Sequence, residues 1–313
     1  MNRNTSGRAS FIGIEIGGTK LLLVLGNETG KILERRKLEV QPAAGAEGIR
    51  GQIRQTLGEL MGGQVRAIGV GFGGPVDWKT GKICRSHQIE GWSGFDFGSW
   101  LGQLAGVPVV VDNDANVAAL GEAGHGAGLG FNPVFYITLG SGVGGGLVAN
   151  GQIYHGAPPG EAEIGHVRLD RQGTIVEARC SGWAVDARIR QLNAQAPGGV
   201  LARLAGGRKG GEARHLAAAL DQGDAAARQI LRETAEDLAF GLSHVVHLCH
   251  PQIIVMGGGL SGLGEPLRAA VAAALPRFIM QAFSPGPRLA LAALGEDAVP
   301  AGALMLAQAA GGE

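Results

Sequence analysis

Residues 11–40, FIGIEIGGTKLLLVLGNETGKILERRKLEV, decide the fold. Apolar runs in this stretch break at Gly17-Gly18 and again at Asn27–Gly30, where glycine and asparagine supply the backbone freedom that tight hairpin turns require. Three short strands in a meander are therefore expected. A helix is expected over 45–62. VRAIGVGFGGPVD (65–77) then reads as a buried strand ending in a glycine-proline turn, and VPVVVDNDANVAALGEAGHG (107–126) as a buried strand that runs into a helix near Asn113.

The order starts again at PVFYITLGSGVGGGLVANGQIYHG (133–156), which also reads as strands. Helices follow near 177–193 and 212–221, with a long one over 223–249. A buried strand QIIVMGGG (252–259), a helix near 263–276, a strand RLALAAL (288–294) and a closing helix over 298–310 complete the chain. The repeat lies in element order rather than in residue identity. It predicts two similar α/β lobes, 11–120 joined by the C-terminal helix 298–310, and 121–297, with an inter-lobe cleft of the kind that houses small ligands.

A length of 313 residues agrees with two lobes, because single cores stop growing at roughly 250–300 residues. Hydrophobic content of 45% and charged content of 17% are those of a globular protein, and 27 basic residues balance 27 acidic ones, so no field favours nucleic acid or a membrane surface. The polar start MNRNTSGRAS is expected to fray and has no signal-peptide core, and no apolar run reaches the roughly 20 residues of a bilayer-spanning helix. Three cysteines without paired spacing fit a reducing, cytoplasmic setting. The 56 glycines cluster at the ends of apolar runs, as turns and close backbone approaches demand.

Four features fall where the cleft is expected. IEIGGTK places an acid, Glu15, before a Gly17-Gly18-Thr19 turn whose N–H groups suit a phosphate, although a plain hairpin turn has the same residues. ITLGSGVGGG repeats the arrangement in the second half, and two such turns would grip a polyphosphate without cations. IIVMGGGL ends a buried strand on glycines, against which a nucleoside or simply a helix can pack. VVVDNDANVAALGE crowds Asp112, Asn113, Asp114 and Asn116 at a strand–helix junction. One of them suffices as a helix cap, and an acid at a strand end in a cleft is a common general base. Neither a P-loop nor a G-x-S-x-G elbow occurs.

GAPPGEAEIGHVRLDRQGTIVEARCSG (156–182) holds His166 and Cys180 together with Glu163 and Glu177. A structural zinc takes four ligands, normally with cysteines paired two to four residues apart, and Cys84 and Cys249 lie far away. The alternative is a set of hydrogen-bonding groups for a polyhydroxylated ligand.

Together, IEIGGTK, GFGGPVD, DNDAN, TLGSGVGGG, EIGH and IVMGGGL resemble, in this order and over nearly the whole chain, the ROK family of sugar kinases, open-reading-frame proteins and repressors. The resemblance implies an actin-like, sugar-kinase fold of two ribonuclease-H-like lobes over ATP and a sugar. It implies Asp114 as catalytic base, with Gly74, Asn113, Glu163, His166 and Glu177 at the sugar. It further implies Gly17, Gly18, Thr19, Lys20, Ser141 and Gly142 at the phosphates, Gly257 and Gly258 at the adenosine, and Glu15 near Mg²⁺. Many members follow their histidine with a C-x-C-G-x-x-G-C zinc loop; here VRLDRQGTIVEA stands instead, so a sugar site without zinc is expected. Pro159, Glu161 and Ala162 replace the Gly, Ala and Gly usual before EIGH, Ser141 replaces the commoner threonine, and Glu15 replaces aspartate.

The expected activity is ATP-dependent phosphorylation of a hexose, with glucose first and fructose or an N-acylated hexosamine next. Polyphosphate is the alternative donor, and a non-catalytic sugar sensor is the alternative class. A repressor would need a helix-turn-helix domain, whereas ten residues precede the first expected strand. A homodimer is expected.

Overall fold

The computed structural model describes residues 9–312 except 62, 63, 87, 88, 159, 161, 196 and 208. The substitutions at Pro159 and Glu161, and most of the polar N-terminal stretch, lie outside the described residues. In the first half the chain forms β1 (Ser10–Ile16), β2 (Lys20–Asn27), β3 (Ile32–Glu39), α1 (Gly45–Leu60) and β4 (Val65–Phe72). The hairpin β5 (Val76–Asp77) and β6 (Lys82–Ile83), α2 (Phe97–Ala105), β7 (Val109–Asn113) and α3 (Asp114–His125) follow. The second half contains β8 (Val134–Leu139), β9 (Val143–Ala149), β10 (Gln152–Ile153), α4 (Val176–Cys180), α5 (Gly182–Gln195), α6 (Val200–Ala205) and α7 (Leu216–Asp221). It closes with α8 (Ala225–Cys249), β11 (Ile253–Gly257), α9 (Glu265–Ala274), β12 (Arg288–Leu291) and α10 (Ala298–Gly311).

The expected repeat is present in the sheets. The first has the order β3-β2-β1-β4-β7, with antiparallel hairpins among β1, β2 and β3, and with β4 and β7 added parallel to β1. In the second, β9, β8, β11 and β12 lie side by side in that order; β8 and β9 are antiparallel, and β11 and β12 are parallel to β8. In the parallel part β11 is buried completely and β1, β4 and β8 over most of their lengths, as helix-covered parallel sheets require, while the edge strands β7 and β12 are only partly buried.

Two compact units result, one of Met1–Leu129, Gly151–Glu161 and Glu296–Glu313, the other of Gly130–Asn150 and Ala162–Gly295. Residues 121–129 and Gly151–Glu161, grouped with the second lobe in the sequence reading, cluster with the first unit instead. The physical reason for the second segment is visible in His155, which pairs with Asp112 and stacks on Trp78. In the first unit a core of Ile12, Ile14, Ile68, Val70, Phe72, Ile49, Ile53 and Leu101 joins the sheet to α1 and α2, with Trp92 and Phe97 wholly buried among them. On the other side α10 lies so close to α3 that a Cβ on Gly302 would come within 1.8 Å of the Val117 carbonyl oxygen. Only glycine permits that approach. The second unit has its own core, centred on Ile137, Leu139, Val176, Leu238, Leu242 and Met256. Among the described residues no helix is long and apolar enough to cross a membrane.

Candidate functional site

Register brings the first group of candidate residues together. Ile16 pairs with Phe72 in parallel β1 and β4, and Phe72 with Asn113 in β4 and β7, so the three strands end side by side. The Gly17-Gly18 turn, the Gly73-Gly74 turn and the start of α3 are thereby neighbours at the carboxyl edge of a parallel sheet, where open α/β sheets bind ligands. The Gly73 N–H donates to the Ile16 carbonyl at 2.8 Å, and the position of a Cβ on Gly73 lies 3.4 Å from Asp114 Oδ2. Gly17, Gly18, Phe72, Gly73, Ser86 and Trp92 line a pocket at this edge.

Each polar residue of DNDAN has a distinct position. Asp112 is buried and accepts three hydrogen bonds: Oδ1 from the Asn113 N–H at 2.7 Å and from Asn116 Nδ2 at 3.0 Å, and Oδ2 from His155 Nε2 at 2.7 Å. Asn113 is the helix cap. Its Oδ1 accepts from the N–H groups of Ala115 and Asn116, and its Nδ2 donates to the Gly74 carbonyl at 3.1 Å. Asp114, half-buried, is the first residue of α3, where the helix dipole favours a carboxylate. The cap and the buried acid account for two of the crowded residues by structure alone and leave Asp114 as the acid at the turn.

Glu15 pairs its Oε1 with Lys20 Nζ at 2.9 Å, while its Oε2 is buried without a hydrogen-bond partner. Burial raises its carboxyl above the ordinary 4.5, against the opposing pull of Lys20. Lys20 thus lies across the hairpin from its acid. The Gly17 N–H is already committed to the Lys20 carbonyl at 2.9 Å, so the donors at the tip are those of Gly18 and the exposed Thr19.

In the second unit the Gly140–Gly142 turn is held from three sides. The Gly140 N–H donates to Gly142 O at 2.9 Å, Gly182 N–H to Gly140 O at 2.7 Å, and Val143 N–H to Glu177 Oε2 at 2.8 Å. Ser141 stands exposed at the tip. EIGH forms a single 3-10 turn whose Ile164 is buried in the core and whose Gly165 packs on the Val143 carbonyl, leaving Glu163 and His166 on the exposed side. Ser141, Gly142, Glu177 and the EIGH turn therefore meet around Val143. Gly257 pairs with Thr138, and Gly258, at φ 82°, packs so tightly on the Leu139 backbone that a Cβ would lie 2.5 Å from the Leu139 nitrogen.

Cys180 is wholly buried, with its Sγ against the Thr234 carbonyl, and its thiol is pushed up to about 12 by burial. The exposed His166 and buried Cys180 are set in different surroundings. Among the described residues no group of three or more His, Cys, Asp and Glu side chains could hold a metal ion.

The sequence reading missed His155 and Trp78. Their rings stack at 4.1 Å with 15° between planes, in segments far apart along the chain. QIYHG follows no cap or turn rule, so no local signal marks His155 as a partner of Asp112.

The comparisons agree with this arrangement. A glucokinase of Thermotoga maritima is 30% identical over 300 residues, covering 93% of this chain and 95% of that protein. A glucokinase of Streptomyces coelicolor is 31% identical over 311 residues, covering 95% and 97%. The crystal structure of a ROK family glucokinase from Streptomyces griseus in complex with glucose and AMPPNP superposes with a TM-score of 0.83 at 33% identity, covering 96% of this chain and 99% of that one. The ROK family profile itself matches residues 11–310. With the duplicated sheets, the paired glycine turns and DNDAN at the strand ends, this chain belongs to the ROK family and has its actin-like, two-lobed fold.

Proposed function

We propose that the protein is a glucokinase, transferring the γ-phosphoryl group of ATP to the 6-hydroxyl of glucose. Family membership and the glucokinase relatives make it an ATP-dependent hexose kinase. The choice of glucose rests on the same relatives. The chemistry asks the protein for positioning, charge compensation and one base.

One observation carries the assignment of the base. Of the two aspartates at the junction, Asp112 has 4% of its side chain exposed and is a buried holder of three donors, whereas Asp114 is half-buried at the start of α3 beside Gly73. Asp114 then takes the proton of the attacking hydroxyl. Asn113 has one amide hydrogen beyond its cap and its bond to Gly74, which suits it to a sugar oxygen beside the base. Glu163, His166 and Glu177 are assigned to further hydroxyls. Gly18 and Thr19 of the first turn, with Gly17 and Lys20, and Ser141 and Gly142 of the second, are assigned to the phosphates. The Gly257-Gly258 end of β11 is assigned to the adenosine. The buried, unpartnered Oε2 of Glu15 fits Mg²⁺, which binds through one or two carboxylates together with substrate phosphates. Bound there, the cation would offset phosphate charge.

A coupled kinase assay over about a dozen hexoses and amino sugars, run with ATP and with polyphosphate, tests the reading because only the presented hydroxyl differs among substrates of this template. Glucose with ATP is expected to give the highest kcat/KM. A preference for fructose or an N-acylated hexosamine would replace glucose, and sugar binding without turnover would replace the kinase by a sensor.

A further inference from the structure

Asp112 accepts three hydrogen bonds, yet it has no direct part in the phosphoryl transfer proposed above. Its Oδ1 holds the Asn113 N–H and Asn116 Nδ2, which ties the last peptide of β7 to the first turn of α3. Its Oδ2 has one partner, His155 Nε2, at 2.7 Å. The His155 ring in turn is fixed by stacking on Trp78, which directly follows β5 in the hairpin after the Gly73-Gly74 turn. The same turn is bound to the junction from the other side through Asn113 Nδ2 and the Gly74 carbonyl. Two chain segments thus bind the two residues that precede Asp114, the returning segment through His155 and the Gly74 turn through Asn113, and Trp78 of the hairpin backs the His155 ring.

We propose that His155 is a positioning residue of the reaction: by donating Nε2–H to Asp112 it fixes the Asp112–Asn113 peptide and so aims Asp114. The inference rests on the reading of Asp114 as the base. A carboxylate with 4% of its side chain exposed that loses one donor must turn toward another or admit water, and either movement shifts the Asn113 N–H that shares its other oxygen. Asp114 is the next residue. The hydrogen bond requires a proton on Nε2, whichever charge state the ring carries. Stacking on Trp78 holds the plane of the ring, and the bond to Asp112 selects the flip that points Nε2 at Oδ2.

Three variants separate aim from mere stability. His155→Phe keeps a ring against Trp78 and removes the donor, whereas His155→Gln keeps an amide N–H at a reach similar to Nε2. The Phe variant is expected to lose roughly 10- to 100-fold in kcat, since a displacement of about 1 Å at a reacting group costs on that order, with sugar KM changed less than about threefold. The Gln variant is expected to recover most of kcat. Asp114→Asn is measured in parallel: if it stays active, the base assignment fails whatever His155 does. If Asp114→Asn is inactive while His155→Phe retains its kcat, or if Phe and Gln fall equally, the positioning role is overturned and the base assignment stands. A readout independent of turnover is the ¹⁵N-resolved spectrum of the histidines in the full chain. It should place a proton on His155 Nε2, and a ring protonated at Nδ1 alone would overturn the proposal.

Discussion

Glu177 accepts the Val143 N–H at 2.8 Å, and Val143 follows directly on the Ser141-Gly142 tip. A residue assigned to the sugar therefore also shapes the turn assigned to the phosphates. Removing a charged acceptor of this kind costs roughly 1.5–3 kcal/mol, or about 10- to 150-fold in affinity. Glu177→Ala should accordingly raise the KM for ATP at saturating glucose as well as the KM for glucose. Glu177→Gln, which keeps a carbonyl oxygen for Val143, should affect ATP less. Steady-state kinetics with each substrate varied in turn will show it, and an unchanged ATP KM in the alanine variant would mean that the turn stands without Glu177.

Glu15 offers a test by pH. Burial, the largest influence, raises its carboxyl above 4.5 in the folded state. Below that value the group is protonated in both folded and unfolded chains and costs nothing. As pH rises the unfolded chain ionises first, so stability is lost through the raised folded pKa. Glu15→Gln abolishes this titration. Urea unfolding from below pH 4.5 to neutrality should show the variant gaining on the native chain as pH rises. A difference that shrinks over that range would mean the carboxylate is favoured in the folded state.

Ala162 stands at φ 55°, a left-handed conformation, immediately before the EIGH turn. An L side chain there costs about 1–2 kcal/mol, part of which glycine gives back as unfolded-state entropy. Ala162→Gly should stabilise the protein by about 0.5–1 kcal/mol, since both effects act on one residue. Chemical denaturation measures the change, and a loss of stability would show that the alanine methyl makes a contact worth more than the strain.

The meander, the buried strands and the long helices were legible because their apolar periods are local. Register did the rest: once β1, β4 and β7 are parallel neighbours, Gly17, Gly73 and Asp114 must meet. What escaped the sequence was short or distant. β5 and β6 are two residues each, too short for any period, and α6 spans only Val200–Ala205. The tie of Asp112 to His155 joins residues 43 apart that share no motif. Asn113 illustrates a different limit. The cap rule and the sugar role both point to it, and only the folded chain shows that the cap takes its Oδ1 and the Gly74 carbonyl one hydrogen of its Nδ2.

Asp114 is the residue proposed to take the proton of the attacking sugar hydroxyl. Asp114→Asn preserves size and polarity but cannot accept that proton, and loss of a general base typically costs about 10²–10⁴-fold in rate. Measured at saturating ATP and glucose, kcat of the Asn variant should fall within that range while its thermal unfolding stays near that of the native chain. A correctly folded Asn variant with near-native kcat would show that Asp114 is not the base.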